Sequence, residues 1–285
     1  MGRVTLRCKV QVVNSHHRQK EGRSMERHNK LAMVTGGSGG IGFELAKQFA
    51  DHGFDVAISG QSDRIHESAE VLRAKGVEAY PYQADAGTYD GVEGFWRFVE
   101  DLGRPVDAAA LNVGLGLGGA FIDNDLEDEF RLIAINITGL VHMAKRVARH
   151  MTANGSGRIL ITSSISATSP TPYETVYGPS KAFGFSFAES LREELRGSGV
   201  SVTALLPGAT DSDFHANAGM GNTIFGDNSW KNDKTEVARQ GFEALMKGDD
   251  HVVGGDEATK QRAIDNRTTP EPVKAARQAE RTRPR

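Results

Sequence analysis

Leu31-Ala32-Met33-Val34-Thr35-Gly36-Gly37-Ser38-Gly39-Gly40-Ile41-Gly42 runs from an apolar segment directly into a glycine-rich loop. Beyond it, Phe43, Leu45, Ala46, Phe49 and Ala50 recur at helical spacing, so strand, loop and helix follow one another. Glycines are needed where a side chain would block a ligand's approach to the backbone. The amides of such a loop, with the N-terminus of the helix behind it, suit a pyrophosphate. Two registers fit: Gly37, Gly39 and Gly42 match GxGxxG, and Gly36, Gly40 and Gly42 match TGxxxGxG. The loop alone does not choose between them.

Short apolar stretches continue down the chain at 31–35, 56–59, 77–82, 106–111, 158–162, 200–206 and 251–253, with helical patterns between them. This alternation argues for an α/β fold: one doubly wound parallel sheet of about seven strands, helices on both faces, ligands at the carboxyl ends of the strands. A chain of 285 residues with 38% hydrophobic content is ample for one large core, and we read a single domain over residues 30–255. No fixed-period repeat appears, and no apolar run approaches the roughly 18 residues of a membrane helix.

Tyr177 and Lys181 stand four apart in Tyr177-Gly178-Pro179-Ser180-Lys181, which places a phenol and an ammonium on one helix face. At about 4 Å and an effective dielectric of about 20, the ammonium would favour a phenolate by roughly 4 kcal/mol, on the order of three pKa units before burial subtracts some of it. The pair therefore suits proton transfer near neutral pH. Ser164 lies thirteen positions upstream of Tyr177, just past the apolar run 158–162. A YxxxK pattern alone is weak, since an amphipathic helix with a snorkelling lysine reads the same way.

Taken together, these motifs resemble the short-chain dehydrogenase/reductase family in its single-domain form, over approximately residues 30 to 255. The matching residues are Thr35 to Gly42, Asp85, Leu111-Asn112-Val113-Gly114, Asn136, Ser164, Tyr177 with Lys181, and Pro207-Gly208, all in the family's order and spacing. The resemblance implies a Rossmann-type fold and selects the register Gly36, Gly40, Gly42, with Ser38 and Ile41 beside the cofactor. It implies an oxidoreductase acting on a ketone or secondary alcohol, with 3-oxoacyl thioesters or small lipophilic ketones as substrate types. By resemblance, Tyr177 is the acid-base, Lys181 bonds the nicotinamide ribose and lowers the tyrosine's pKa, and Ser164 holds the carbonyl. Asn136 would keep a water that links Lys181 to solvent. Asp85 corresponds to an adenine contact, and Asn112 with Gly114 to the segment beside the cofactor. Pro207, Gly208, Thr210 and Ser212 correspond to the segment passing the nicotinamide carboxamide. A non-catalytic nicotinamide-binding sensor or scaffold is the alternative, disfavoured because a binder has no chemical need for Asn136, Ser164, Tyr177 and Lys181 together.

Cofactor choice turns on Ile58-Ser59-Gly60-Gln61-Ser62-Asp63-Arg64. A carboxylate at the end of this strand would bond the ribose hydroxyls of NAD and repel a 2′-phosphate. The position that is acidic in NAD-preferring relatives is Gly60, so NADP is expected, with NAD as the alternative and Gln61, Ser62 and Arg64 available to a phosphate.

The chain ends differ from its middle. Residues 1–30 carry eight basic against two acidic side chains, and 1–29 read as a basic disordered extension with Met25 as a candidate start. Residues 256–285 read as a loosely packed tail. The remaining 31–255 hold 18 basic and 30 acidic residues, an electrostatic argument against nucleic-acid binding. The sole cysteine, Cys8, lies in the extension, which leaves the domain without a disulfide and suits a cytoplasmic setting. No HExxH or similar spacing points to a metal, and no GxSxG surrounds Ser164. A Gly- and Asn-rich stretch at 213–233 that carries Phe214, Met220, Ile224, Phe225 and Trp230 reads as a mobile substrate lid. The helical stretches 126–151 and 177–195 are, by resemblance, the surfaces of a homodimer or homotetramer.

Overall fold

A computed structural model of the chain describes Gly2 and residues 29–284. The expectations for Met25, Cys8 and nearly all of the extension therefore lie outside the described residues. Seven parallel strands form one sheet in the order β3-β2-β1-β4-β5-β6-β7: β1 Lys30–Thr35, β2 Phe54–Gly60, β3 Ala79–Gln83, β4 Val106–Leu111, β5 Gly157–Thr162, β6 Val200–Pro207 and β7 His251–Gly254. All seven expected stretches are strands. Val77, expected to open the third, lies just ahead of it.

Between and after the strands run α1 (Gly40–Asp51), α2 (Arg64–Arg73), α3 (Tyr89–Glu100), α4 (Leu126–Ile133), α5 (Leu140–Asn154), α6 (Tyr177–Glu194), α7 (Phe214–Asn217), α8 (Lys234–Lys247), α9 (Glu257–Asp265) and α10 (Glu271–Thr282). The strands are apolar almost without interruption because both faces are covered. Leu31 and Met33 of β1 pack on the side of α3 and α5, and Ala32 and Val34 pack on the side of α1, α2 and α8. That alternation is the two-residue period of a strand.

The order of strands reverses direction between β1 and β4, which pair in register from Ala32 with Ala108 to Thr35 with Leu111. Loops leaving the two neighbouring strands there go to opposite faces and open a crevice, and the ligand site of a doubly wound sheet forms in that crevice. The last residues differ from the expected loose tail. Helices α9 and α10 are capped by Asp256 and led by a proline, respectively, and Lys274 and Thr282 are buried. Their anchors are polar and distant in sequence: Thr282 Oγ1 donates to the Pro172 carbonyl (2.7 Å) and Asn266 Nδ2 to Thr168 Oγ1 (2.8 Å).

Candidate active site

The end of β1 builds the site's first wall. Thr35 Oγ1 accepts from the backbone N–H groups of Asn112 (3.0 Å) and Val113 (3.2 Å), and Asn112 Nδ2 donates to the Thr35 carbonyl (3.3 Å). This ties the exit of β4 to the glycine loop. Gly36 has φ +72°, and a Cβ on Gly42 would overlap the Gly36 carbonyl oxygen and the Asn112 amide. A side chain at Gly42 would force loop and helix apart, and one at Gly36 would be strained and would press on Asn112 and Val113. Helix α1 starts behind Gly39 with no side-chain cap and no acidic residue in its first turn. Its free N–H groups and positive dipole end therefore face the crevice, which is the arrangement that accepts phosphate.

Ser163 Oγ donates to the Lys181 carbonyl (2.6 Å), joining the end of β5 to α6. Ser164 caps the short helical turn 165–168, its Oγ accepting from Ser166 N–H (3.1 Å). Tyr177 opens α6 and Lys181 follows one turn later, both buried. Lys181 Nζ lies 5.8 Å from the Tyr177 ring centre and donates to the Thr162 carbonyl (3.1 Å). Gly114 makes room for this ammonium, since a Cβ there would stand 2.8 Å from Nζ.

Asn136 sits on a wide π-type turn, 134–139, between α4 and α5, a local geometry common at functional sites. Its side chain is fully engaged. Oδ1 accepts from Leu115 N–H (2.8 Å), and Nδ2 donates to the Leu115 carbonyl (2.8 Å) and to Ser180 Oγ (2.9 Å). Ser180 Oγ in turn donates to the Tyr177 carbonyl (2.6 Å), so Asn136 holds the β4 exit loop against the first turn of α6.

These walls enclose a cavity of about 760 Å³. Of the sequence-expected residues, Gly36, Ser38, Gly40 and Ile41 line one end, with Asn112 and Gly114 beside them. Ser164, Tyr177 and Lys181 line the middle, and Pro207, Gly208, Thr210 and Ser212 the side formed by the exit of β6. Gly42 and Asn136 lie behind the lining. Gln61, Ser62 and Asp85 do not reach it; instead Arg64 does. Asp85 is occupied locally, accepting from Gly87 N–H (2.9 Å) and from Arg131 Nη2 (2.5 Å), and the Arg131 guanidinium holds its carboxyl below the usual range despite partial burial. That is the turn role open to any strand-end aspartate.

Burial dominates the ionisation of the central groups. It pushes the Tyr177 phenol above its ordinary value, with the Glu174 carboxyl adding to the rise and the Ser164 hydroxyl opposing it. The depression expected from Lys181 is therefore not the net effect. Its ammonium is directed to the Thr162 carbonyl, and burial brings its own pKa down to about 8.

Several cavity residues escaped the sequence reading. Glu174 is buried three positions before Tyr177, and desolvation raises its carboxyl to about 7, with the Gln278 amide pulling the other way. It follows Tyr173, the single non-glycine residue of positive φ (62°) among those described, whose strain marks this turn as constrained. The segment read as a lid is folded: Ala218, Met220 and Phe225 form a small core with Ala209 and Ile224. From it Phe214, 5.4 Å from the Tyr177 ring, and Phe225 enter the cavity lining. The far wall comes from α9 and α10, through Arg262, Lys274, Arg277, Gln278 and Arg281. No motif announces these residues.

A family model for short chain dehydrogenases matches residues 30–222. Among curated relatives, the probable oxidoreductase EphD of Mycobacterium tuberculosis is 33% identical over 192 residues, covering 67% of this chain and 32% of that protein. This chain thus spans about a third of that relative's length. A short chain dehydrogenase of Pseudocercospora fijiensis is 34% identical over 190 residues, 66% of this chain and 62% of that one. Among solved structures, a short-chain dehydrogenase from Sphingobium yanoikuyae in complex with NADPH has a TM-score of 0.75 at 26% identity, covering 84% of this chain and 93% of its own. The bulky-bulky ketone specific alcohol dehydrogenase from Comamonas testosteroni has a TM-score of 0.71 at 25% identity, covering 84% and 91%. With the seven-stranded sheet and the family match running from β1 past the exit of β6, the chain belongs to the short-chain dehydrogenase family.

Proposed function

We propose that this protein is an NADP-dependent oxidoreductase that interconverts a ketone and a secondary alcohol, with Tyr177 as the acid-base. The observation that carries the reading is the convergence of Ser164, Tyr177 and Lys181, all buried, on one cavity whose other end is an uncapped helix N-terminus behind a glycine loop. The cradle fits a dinucleotide: Gly36, Ser38, Gly40 and Ile41 would receive its phosphates, and Asn112, Gly114, Pro207, Gly208, Thr210 and Ser212 would flank its nicotinamide end. When bound, the nicotinamide supplies or accepts the hydride.

The protein's own groups handle the oxygen. Ser164 Oγ donates to the substrate carbonyl and fixes it beside the phenol. In reduction, Tyr177 Oη gives its proton to the developing alkoxide, and Lys181 beside the ring stabilises the phenolate left behind. In alcohol oxidation the same phenolate takes the proton back. A phenol whose pKa burial raises is fully protonated at neutral pH, which suits it to the donor role in carbonyl reduction. Asn136 keeps the α6 turn and the β4 exit in place around this pair. Phe214 and Phe225 give the substrate half an apolar wall, in keeping with a lipophilic or 3-oxoacyl carbonyl compound. The ketone-specific enzyme from Comamonas testosteroni supports a ketone substrate, and the NADPH-bound relative supports the cofactor.

Turnover of a panel of carbonyl compounds with NADPH, wild type beside Tyr177→Phe, tests the mechanism. The variant should retain cofactor binding and lose roughly 100- to 10,000-fold in kcat. Persistent turnover in the variant would remove Tyr177 from the chemistry. A cytoplasmic location is part of the same proposal, and among the described residues no helix is long and apolar enough to cross a membrane.

A further inference from the structure

The wall of the cavity built by α9 and α10 is basic. Arg262 of α9 and Arg277 and Arg281 of α10 line it, and among the described residues none of the three has a carboxylate within 4 Å. Lys274, on the same helix, shows the contrast: it is held by the Glu271 carboxylate (2.7 Å) and the Thr168 carbonyl (3.2 Å).

Arg281 is the most constrained of the three. Its guanidinium carbon lies 5.5 Å from the Phe225 ring centre and 5.2 Å from that of Trp230, while its Nε is buried with no hydrogen-bond partner among the described residues. Burial and the neighbouring charge of Arg262 lower its pKa to about 10. Stacking occupies the faces of a guanidinium and leaves its edge donors free, and these form the planar fork that matches an oxyanion. Two neighbouring like charges, one of them half-buried with an unpaired donor, carry a cost that an incoming anion would offset. The acids on this side compete weakly. Asp265 Oδ1 accepts from Gln261 Nε2 (2.8 Å), and burial holds Glu174 largely neutral below pH 7.

We infer that the substrate carries an oxyanion, a carboxylate or a phosphate ester, which Arg281 and Arg262 receive while its carbonyl is presented to Tyr177. This rests on the reductase reading above and narrows its substrate class to anionic carbonyl compounds.

Calorimetric titration of the full chain saturated with NADP, so that the glycine loop and Arg64 are occupied, with hexanoate, hexyl phosphate and hexanol tests the subsite without turnover. The two anions should bind and hexanol should bind at least about tenfold more weakly; the tighter anion identifies the group. Arg281→Gln and Arg262→Gln should each weaken the anions about tenfold or more, leave hexanol unchanged, and Arg281→Lys should restore part of the loss. Equal binding of hexanol and the anions by the wild type, or anion binding unchanged in both Gln variants, would overturn the inference. If Arg281→Gln loosens α10 enough to unfold the wall, Arg262→Gln carries the test. KM for an oxo acid against its methyl ester separates the two proposals. Tyr177-dependent reduction without preference for the acid would sink the subsite alone. Anion binding in a protein that reduces no carbonyl compound would sink the reductase reading alone.

Discussion

Glu174 is the residue whose environment is least expected from its neighbours in sequence. It is an acid buried beside the phenol that is assigned to move the proton, with no basic partner among the described residues. Its carboxyl titrates at about 7 in the folded protein against an ordinary 4.5. The native state therefore holds this proton to higher pH than the unfolded chain does. The cost of ionising it is absent below about pH 4.5 and grows as pH rises toward 7. Glu174→Gln should melt like the wild type at pH 4 and be the more stable protein at pH 8, by up to roughly 3 kcal/mol. Thermal melts at the two pH values measure this, and a variant less stable at pH 8 would mean that the carboxylate is compensated by a contact the burial argument misses. The substitution also removes the charge that raises the Tyr177 phenol, so any alcohol oxidation should reach its alkaline plateau at lower pH.

At the level of elements, the strand ends do most of the positioning. The exits of β1, β4, β5 and β6 each deliver a short polar segment to the same crevice, and α1 and α6 enter it by their N-termini. The end of β2 bears on the proposed preference for NADP. A Cβ on Gly60 would stand 2.9 Å from Ser38, so the loop itself closes off the position where an acid would favour NAD. Arg64, at the start of α2, lies across Gly39, and among the described residues its one carboxylate neighbour is Asp213 at 3.7 Å, both side chains being exposed. A pair that loose and solvated contributes little, and the guanidinium remains available to a 2′-phosphate. NADPH should therefore bind more tightly than NADH, and Arg64→Gln should reduce that difference about tenfold or more while leaving NADH unchanged. Fluorescence titration of both reduced cofactors measures it; tighter binding of NADH by the wild type would reverse the assignment.

For the whole molecule, the surface left uncovered is as informative as the cavity. Phe121, Ile122, Leu126 and Phe130, at the entry to and along α4, are large apolar side chains left exposed within ten residues of sequence, and Val141 of α5 is exposed as well. A contiguous apolar patch on a folded monomer commonly marks an interface. We propose that this face pairs two copies of the chain, in line with the homodimer or homotetramer implied by the family resemblance. Light scattering of the wild type should give a dimer or tetramer. The doubly charged variant Leu126→Glu, Phe130→Glu should give a monomer that still binds cofactor. A monomeric wild type would end this reading.

The parallel sheet, the glycine cradle and the Tyr177–Lys181 pair are legible in the sequence because each is a local pattern. Strand alternation and buried apolar runs are set by the next few residues, a glycine loop by its own backbone, and a four-residue spacing by one helical turn. The partners of Asn136, the local engagement of Asp85 by Arg131, the burial of Glu174 and the folding of residues 256–284 over the substrate half were not legible. Each depends on segments tens of residues away coming together: Asn136 on Leu115, Asp85 on a helix 46 residues downstream, Thr282 on Pro172. Ionisation belongs to the same class. Two groups one helical turn apart predict a depressed phenol, yet the desolvation that raises it comes from every wall of the cavity at once, and only the assembled fold sets that quantity.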